Sequence, residues 1–327
     1  MPYGTAGYIT MVRQNSGISA PNTTDLAQTS SPGASIKALS ESFTTTLDRF
    51  QTVNIHNALY EPDDSAGLEQ NEGDIVFPVH PESIGHFLKS CFNNVTVASI
   101  TSTLAKSTFT SVTTDNYSDA AGTPYTLEVY RDQSGVSTSR YTGMIVNQLA
   151  FSVAVNQALQ ATANMVGFGH SLVTRATPVF PSSPTGYFDF TTCSLAINGT
   201  GNNFVEAFTI TIQNNLEKVG SIKNNANIAR IQRTDSQMIR INGTIHFNDY
   251  TEFSVFVGQT EQPMTLSFTK ADSFSMIFTL PRVVYTAYPI NISGRGRILA
   301  NFDGIARYHT GSGTAIQIDL TTVNSNW

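Results

Sequence analysis

Two stretches of the chain repeat one alternation of apolar and polar positions. Residues 143–168 read GMIVNQLAFSVAVNQALQATANMVGF, and residues 280–305 read LPRVVYTAYPINISGRGRILANFDGI. An offset of 137 places Ala163-Asn164-Met165-Val166-Gly167-Phe168 on Ala300-Asn301-Phe302-Asp303-Gly304-Ile305. In the first copy Ala161, Ala163 and Met165 point one way, and Gln160, Thr162 and Asn164 the other. In the second, Ile298, Ala300 and Phe302 oppose Arg297, Asn301 and Asp303. Alternation with a period of two predicts a strand with one face on a core and one in water.

The repetition extends at a second offset of 165, where Glu41-Ser42-Phe43-Thr44-Thr45-Thr46-Leu47 matches Glu206-Ala207-Phe208-Thr209-Ile210-Thr211-Ile212. A helix is predicted after each of these segments. The first covers Pro81 to Phe92, with Ile84, Phe87, Leu88 and Cys91 on one face and Pro81 at a first-turn position that needs no amide donor. The second begins near Asp249, with Glu252 three residues on in a capping-box pattern, and runs through Tyr250, Phe253, Phe256 and Val257. The offset shrinks because the first half carries longer loops, chiefly 101–124 and 132–142. Both halves follow the order strand, strand, helix, two strands, two strands. Thr-rich β sequence also produces chance matches, but shared order and shared offsets favour a true repeat.

Further strands are expected at 7–14, 41–48, 50–57, 74–79, 95–100, 125–131, 144–155 and 158–168. In the second half they fall at 187–197, 204–213, 237–247, 263–269, 274–280, 282–292 and 297–308. Residues 15–35 read as an extended arm or loop, 61–73 and 219–236 as polar loops, and Ala315 to Leu320 as a last alternating stretch before a polar tail. Asn198-Gly199 is a turn dipeptide; Asn242-Gly243 lies inside a strand-like run, where a bulge is as reasonable as a turn. The Pro-rich segment 169–186 reads as a linker. The expected fold is mainly β: two tandem sandwich or half-barrel domains, each with one short helix, plus extended arms and long loops. The boundaries are 1–168, linker 169–186, 187–309, and a C-terminal arm 310–327.

Composition narrows the function. Charged residues are 13% of the 327-residue chain, net charge is −6, and no basic block occurs. Tight nucleic-acid binding needs clustered Lys and Arg, so none is expected. Ser, Thr, Asn, Gln and Gly supply the polar surface, which suits β structure that packs against neighbours. Two cysteines make no disulfide framework, and Cys91 reads as a buried thiol. No signal peptide or membrane-length apolar run is visible, so synthesis in a reducing cytoplasm is expected.

Catalytic patterns are lacking. His56, His80, His86, His170, His246 and His309 have no ligand-spaced partners, so no metal or cofactor is expected. Glu61, Asp63 and Asp64 read as a solvated acidic loop. Gly294-Arg295-Gly296-Arg297 leads into a strand, not a helix, and reads as a hairpin turn instead of a phosphate loop. No nucleophile elbow, P-loop or zincin motif occurs.

The whole chain resembles the major tail tube proteins of long-tailed, siphovirus-like bacteriophages, in their two-domain form. The features that carry the resemblance are the opening Gly7-Tyr8-Ile9, the apolar helix after Phe77-Pro78-Val79, and Phe208-Thr209-Ile210-Thr211-Ile212-Gln213-Asn214-Asn215-Leu216-Glu217. Ile241 to Asp249 and Pro289 to Ile298 add to it. No single motif is diagnostic; their joint order is, and the loop 101–124 matches least well.

The resemblance implies a virion structural protein without enzymatic activity. Its rings would stack into a hollow tail tube through which DNA passes unbound. Implied partners are further copies of itself, the tape measure, the tail terminator and the distal tail proteins, with no membrane. Two repeats per chain suggest trimeric rings of pseudo-sixfold symmetry in place of hexamers. The expected lumen-facing residues are Gln160, Thr162, Asn164, Asn301 and Asp303; ordinary outer exposure is their alternative. The N-terminal arm, the 101–124 loop, the linker and the C-terminal tail are candidate ring-to-ring contacts. The rival classes are another tail, baseplate or decoration protein acting as a binding module, and a β-sandwich hydrolase.

Overall fold

Alternating apolar positions drive most of the chain into antiparallel strands. The computed structural model describes residues 7–14, 17–22, 33–51, 64–111, 124–131, 137–175, 177–178, 180, 186–202, 204–222, 225–270, 273–291, 295–323 and 327. The first half contains β1 (Tyr8–Arg13), β2 (Gly33–Ile36), β3 (Ser40–Glu41), β4 (Thr44–Gln51), β5 (Asp64–Pro78), α1 (Ile84–Phe92) and β6 (Val95–Ser99). It continues with β7 (Ala105–Thr110), β8 (Tyr125–Tyr130), β9 (Ser137–Ala154), β10 (Gln160–Gly167) and β11 (Gly169–Thr174). The second half contains β12 (Cys193–Ile197), β13 (Thr200–Asn202), β14 (Val205–Gln213), β15 (Leu216–Val219), β16 (Arg230–Arg233) and β17 (Met238–His246). After it come α2 (Thr251–Val257), β18 (Gln262–Thr269), β19 (Ser275–Ala287), β20 (Ile290–Asn291), β21 (Leu299–Ala306) and β22 (Gln317–Thr322).

One arc runs through both halves in the order β4-β5-β10-β9-β14-β17-β21-β19. Its two quarters match. β10 sits between β5 and β9, as β21 sits between β17 and β19, and a helix follows β5 as another follows β17. The strands matched at the 137 offset, β10 and β21, therefore hold equivalent places. A second layer of order β13-β12-β18-β19-β22-β7-β6 covers the apolar side of the arc. β19 belongs to both layers, pairing with β18 and β22 through its first half and with β21 through its second. Phe151 of the arc meets Phe278 of the cover at 5.0 Å between ring centroids. A further sheet, β2-β1-β8-β9-β11, uses the first half of β9.

Helix α1 carries the i, i+3, i+4, i+7 pattern but starts at Ile84, after a turn at 81–83, so Pro81 lies outside its first turn; it ends at Asn93, whose left-handed φ of 49° lets its N–H reach the Lys89 carbonyl. Eight of its nine residues are buried, including Cys91, because it fills the space between β9 and β7. α2 lies at the surface. Asp249 accepts from the Thr251 N–H at 2.8 Å, but Glu252 does not complete a capping box. Its carboxylate instead accepts from the Tyr285 hydroxyl and the Gln262 amide, both at 2.8 Å.

Several expected loops are strands. Residues 64–73, read as part of a polar loop, belong to β5; its outer part, 64–70, leaves the sheet as a ribbon whose strand pairing is with β4, while 71–73 also pair with β10. β7 lies within 101–124, β9 begins at Ser137 inside 132–142, and β11 occupies the start of 169–186. In the 219–236 segment, β16 pairs with β15. The separate strands expected at 274–280 and 282–292 are one strand, β19, followed by the short β20. β4 runs unbroken through the expected break at residue 49. Asn198 and Gly199 have φ of 50° and 76°, and they make the two-residue turn between β12 and β13. Asn242-Gly243 is neither turn nor bulge. It stays in register within β17, and a Cβ on Gly243 would lie 2.7 Å from the Phe302 ring. Residues 52–63, 112–123 and 292–294, with the expected strand end, Glu61 and Asp63 of the acidic loop, and Gly294, lie outside the described residues; Asp64 opens β5 and is paired with Arg49.

Candidate functional site

The wet face of the arc gathers polar side chains from both halves. Gln160 lies opposite Ser152, which lies opposite Thr209, then Asn242, then Asp303. The neighbouring row runs Thr162, Ala150, Thr211, Arg240, Ile305, and the next runs Asn164, Gln148, Gln213, Met238. Asn301 stands on the same face, opposite Thr244. All five residues singled out in the sequence therefore share one side of one continuous sheet. Gln160, Thr162 and Asn164 are half-buried; Asn301 and Asp303 are exposed. The other side of the same strands presents Ile75, Phe77, Ala161, Ala163, Leu149, Phe151, Phe208, Ile210, Ile241 and Phe302, all buried.

Cross-strand hydrogen bonds hold this face. The Asn164 amide donates to Asp74 at 2.8 Å, and the Thr244 hydroxyl donates to Asn301 at 2.9 Å. Glu72, Asp74 and Asp303 give it acidic character, against the exposed Arg240. Lys218 is mostly covered and is held by Glu72 at 2.8 Å. Such a surface offers hydration and fixed amide dipoles but no cluster of cations to capture phosphates.

The two halves meet at β9 and β14, and a buried side chain locks the junction. The Asn214 amide donates to the carbonyls of Cys91 (2.9 Å) and Val146 (3.0 Å). Its oxygen accepts from Gln237 (2.8 Å) and Arg233 (3.2 Å). Asn214 sits in the run Gln213-Asn214-Asn215 that carried the family resemblance, yet nothing in its local sequence marks it as buried. Asn214, just past the end of β14, and Asn147, at the register shift in the middle of β9, thus carry hydrogen bonds that join the repeats.

Reactive chemistry is not assembled among the described residues. No group of three or more His, Cys, Asp or Glu is placed to hold a metal ion. Burial pushes the Cys91 thiol up to about 12 and the Cys193 thiol up to about 11. A cleft of about 230 Å³ at the open end of the junction is lined by Val155, Phe190, Leu195, Val205 and Leu266. Its one carboxylate, Glu206, is already held by His246 (3.0 Å) and Arg297 (2.6 Å). That lining contains no acid pair of the kind glycoside hydrolysis uses. No described helix is long and apolar enough to cross a membrane.

A search of curated proteins finds no match. Residues 59–306 match the family described as phage tail tube protein. That span takes in the junction, both helices and every strand of the arc except β4, which lies wholly outside it. The mainly antiparallel β fold and this match agree: the chain belongs to the phage tail tube protein family, whose members build the tail tube of the virion.

Proposed function

We propose that three copies of this chain join their arcs into a ring of six equivalent four-stranded units, two from each chain, and that stacked rings form a tube whose lumen is the wet face of the arc. The observation that carries the reading is the β9–β14 junction, where the last strand of one four-stranded unit pairs with the first strand of the next over seven residue pairs. By the same correspondence β4 is the first strand of the chain's arc, and β19 with β20 the last. Among the described residues, β4 pairs only with β5, and residues 284–291 pair on one side only, with β21. Joining these two edges between chains repeats the internal junction and leaves neither edge of the arc open. The two repeats then act as tandem domains, 1–168 and 187–309, with 169–186 between them.

Gln160, Thr162, Asn164, Asn301 and Asp303 line the lumen in this ring, with Glu72 and Asp74 beside them. DNA slides past a neutral-to-acidic wall because no counterion-releasing contacts hold it. The tape measure would occupy the same lumen before DNA, and terminator and distal tail proteins would meet the tube ends. End-on electron micrographs of the concentrated protein test the stoichiometry. Three chains making six similar lobes is the expected result. Six chains per ring would overturn the pseudo-sixfold arrangement, and compact particles that never stack would overturn the tube.

A further inference from the structure

The segment between the first two strands of each quarter behaves differently in the two repeats. In the second repeat it contains the β15–β16 hairpin, which folds back onto the first repeat. Lys218 bridges to Glu72, the Leu216 N–H donates to Asn147 at 2.8 Å, and the Glu69 N–H donates to the Ala226 carbonyl at 2.7 Å. Gly220 lies so close to Leu68 that a Cβ would stand 2.6 Å from its methyl. Leu216, Ile228 and Ile231 bury themselves with Ile145 and Val166, and Phe168 packs on the rim. The hairpin of one repeat is thus supported by the repeat that precedes it along the arc.

In the first repeat the corresponding segment is the far end of the β4–β5 ribbon. Among the described residues nothing lies beneath it: Thr46–Gln51 and Asp64–Ala66 are all exposed, and Leu47 and Phe50 are each 57% exposed. A two-stranded ribbon alone in water is marginal, and an open edge bearing a Leu and a Phe is an association site. The chain holds no preceding repeat to receive it. In the proposed ring, the preceding repeat is the second repeat of the neighbouring copy.

We infer that the β4–β5 ribbon docks across the chain boundary onto the second repeat of an adjacent copy in the same ring, on the patch formed by Met238, Val284 and Ile305. Register identifies this patch. Ile75 opposite Ala163 corresponds to Ile245 opposite Ala300, so Leu68 corresponds to Met238 and Phe168 to Ile305. Met238, Val284 and Ile305 are half-buried apolar side chains on the otherwise polar face, with Val284 and Ile305 directly opposite each other. They occupy the place where the first repeat receives the β15–β16 hairpin. Leu47 and Phe50 supply the apolar surface to cover them.

This inference rests on the ring reading and is tested separately from it. Phe50→Cys and Ile305→Cys are combined in a Cys193→Ser background, assembled, and treated with a short bismaleimide. Cross-links are expected, and the covalent products should stop at the number of chains that electron micrographs show in one ring. Products that ladder beyond that number would mean the ribbon reaches the next ring and would overturn the inference. Rings that form without cross-linking would overturn it as well. Leu47→Ser with Phe50→Ser provides a second measurement. It should raise the concentration for half-assembly by about tenfold or more while leaving the monomer's melting temperature unchanged. Assembly at the wild-type concentration would refute the docking. Failure of the unmodified protein to form rings at all would instead remove the ring reading itself.

Discussion

His86 makes a sharp prediction about acid stability. It sits on α1 inside the core, with its ring edge-on to Tyr125 (5.8 Å) and Trp327 (5.2 Å), and neither ring nitrogen has a hydrogen-bond partner. Burial, with a smaller push from the Arg13 guanidinium, lowers its pKa from 6.5 to about 3. The folded protein therefore keeps His86 neutral while the unfolded chain protonates it. Between those two values the unfolded state binds the extra proton, so stability falls as pH drops below 6.5 and is fully retained above it. From pH 7 to pH 5 the loss works out at about 2 kcal/mol for this one group. Urea denaturation of dilute protein at both pH values, beside a His86→Phe variant, isolates the effect. Titration of the other histidines largely cancels in the comparison. The wild type should lose about 2 kcal/mol more than the variant on acidification. Equal losses would mean that His86 is solvated or protonated in the fold, and the account of this core would fail.

Two substitutions probe the packing around the arc and its cover. Gly243→Ala places a methyl against the Phe302 ring and the Ala207 carbonyl, 2.7 and 2.8 Å away; a loss of about 1–3 kcal/mol, seen as a lower melting temperature, is expected. An unchanged melting temperature would show that Phe302 yields freely. Trp327→Ala removes a side chain that is 3% exposed and donates to Ser107 at 2.8 Å. The cavity should cost about 3–5 kcal/mol in denaturant titration. A cost under about 1 kcal/mol would show that the last residue packs only loosely on α1.

Much of the arc could be read from the chain before folding. Alternation at Gln160–Met165 and at Ile298–Asp303 separates a wet face from a buried one, because side chains on a strand leave on opposite sides regardless of what the strand pairs with. The apolar spacing of Ile84, Phe87, Leu88 and Cys91 gives α1 in the same way. Shared offsets between the halves and the joint order of the motifs point to the tail tube family.

Pairing between distant strands was not legible. Nothing local says that β9 joins β14, that β22 lies beside β7, or that Trp327 closes over α1; these follow from groups meeting across sequence separations that local patterns do not span. The polar stretch 64–73 hides a strand because residues 64–70 run out along the ribbon and the positions that do turn inward, Asn71 and Gly73, are not apolar side chains, so the signal on which periodicity depends is missing. Asn214 reads as a surface residue until the fold surrounds it with four partners. The sequence by itself determines which side of each repeated strand is wet. Only the tertiary structure places the wet sides of both repeats on one continuous face, because that requires the register of these rows to be carried from β10 to β21, with shifts only beyond Asn164 and before Ala207.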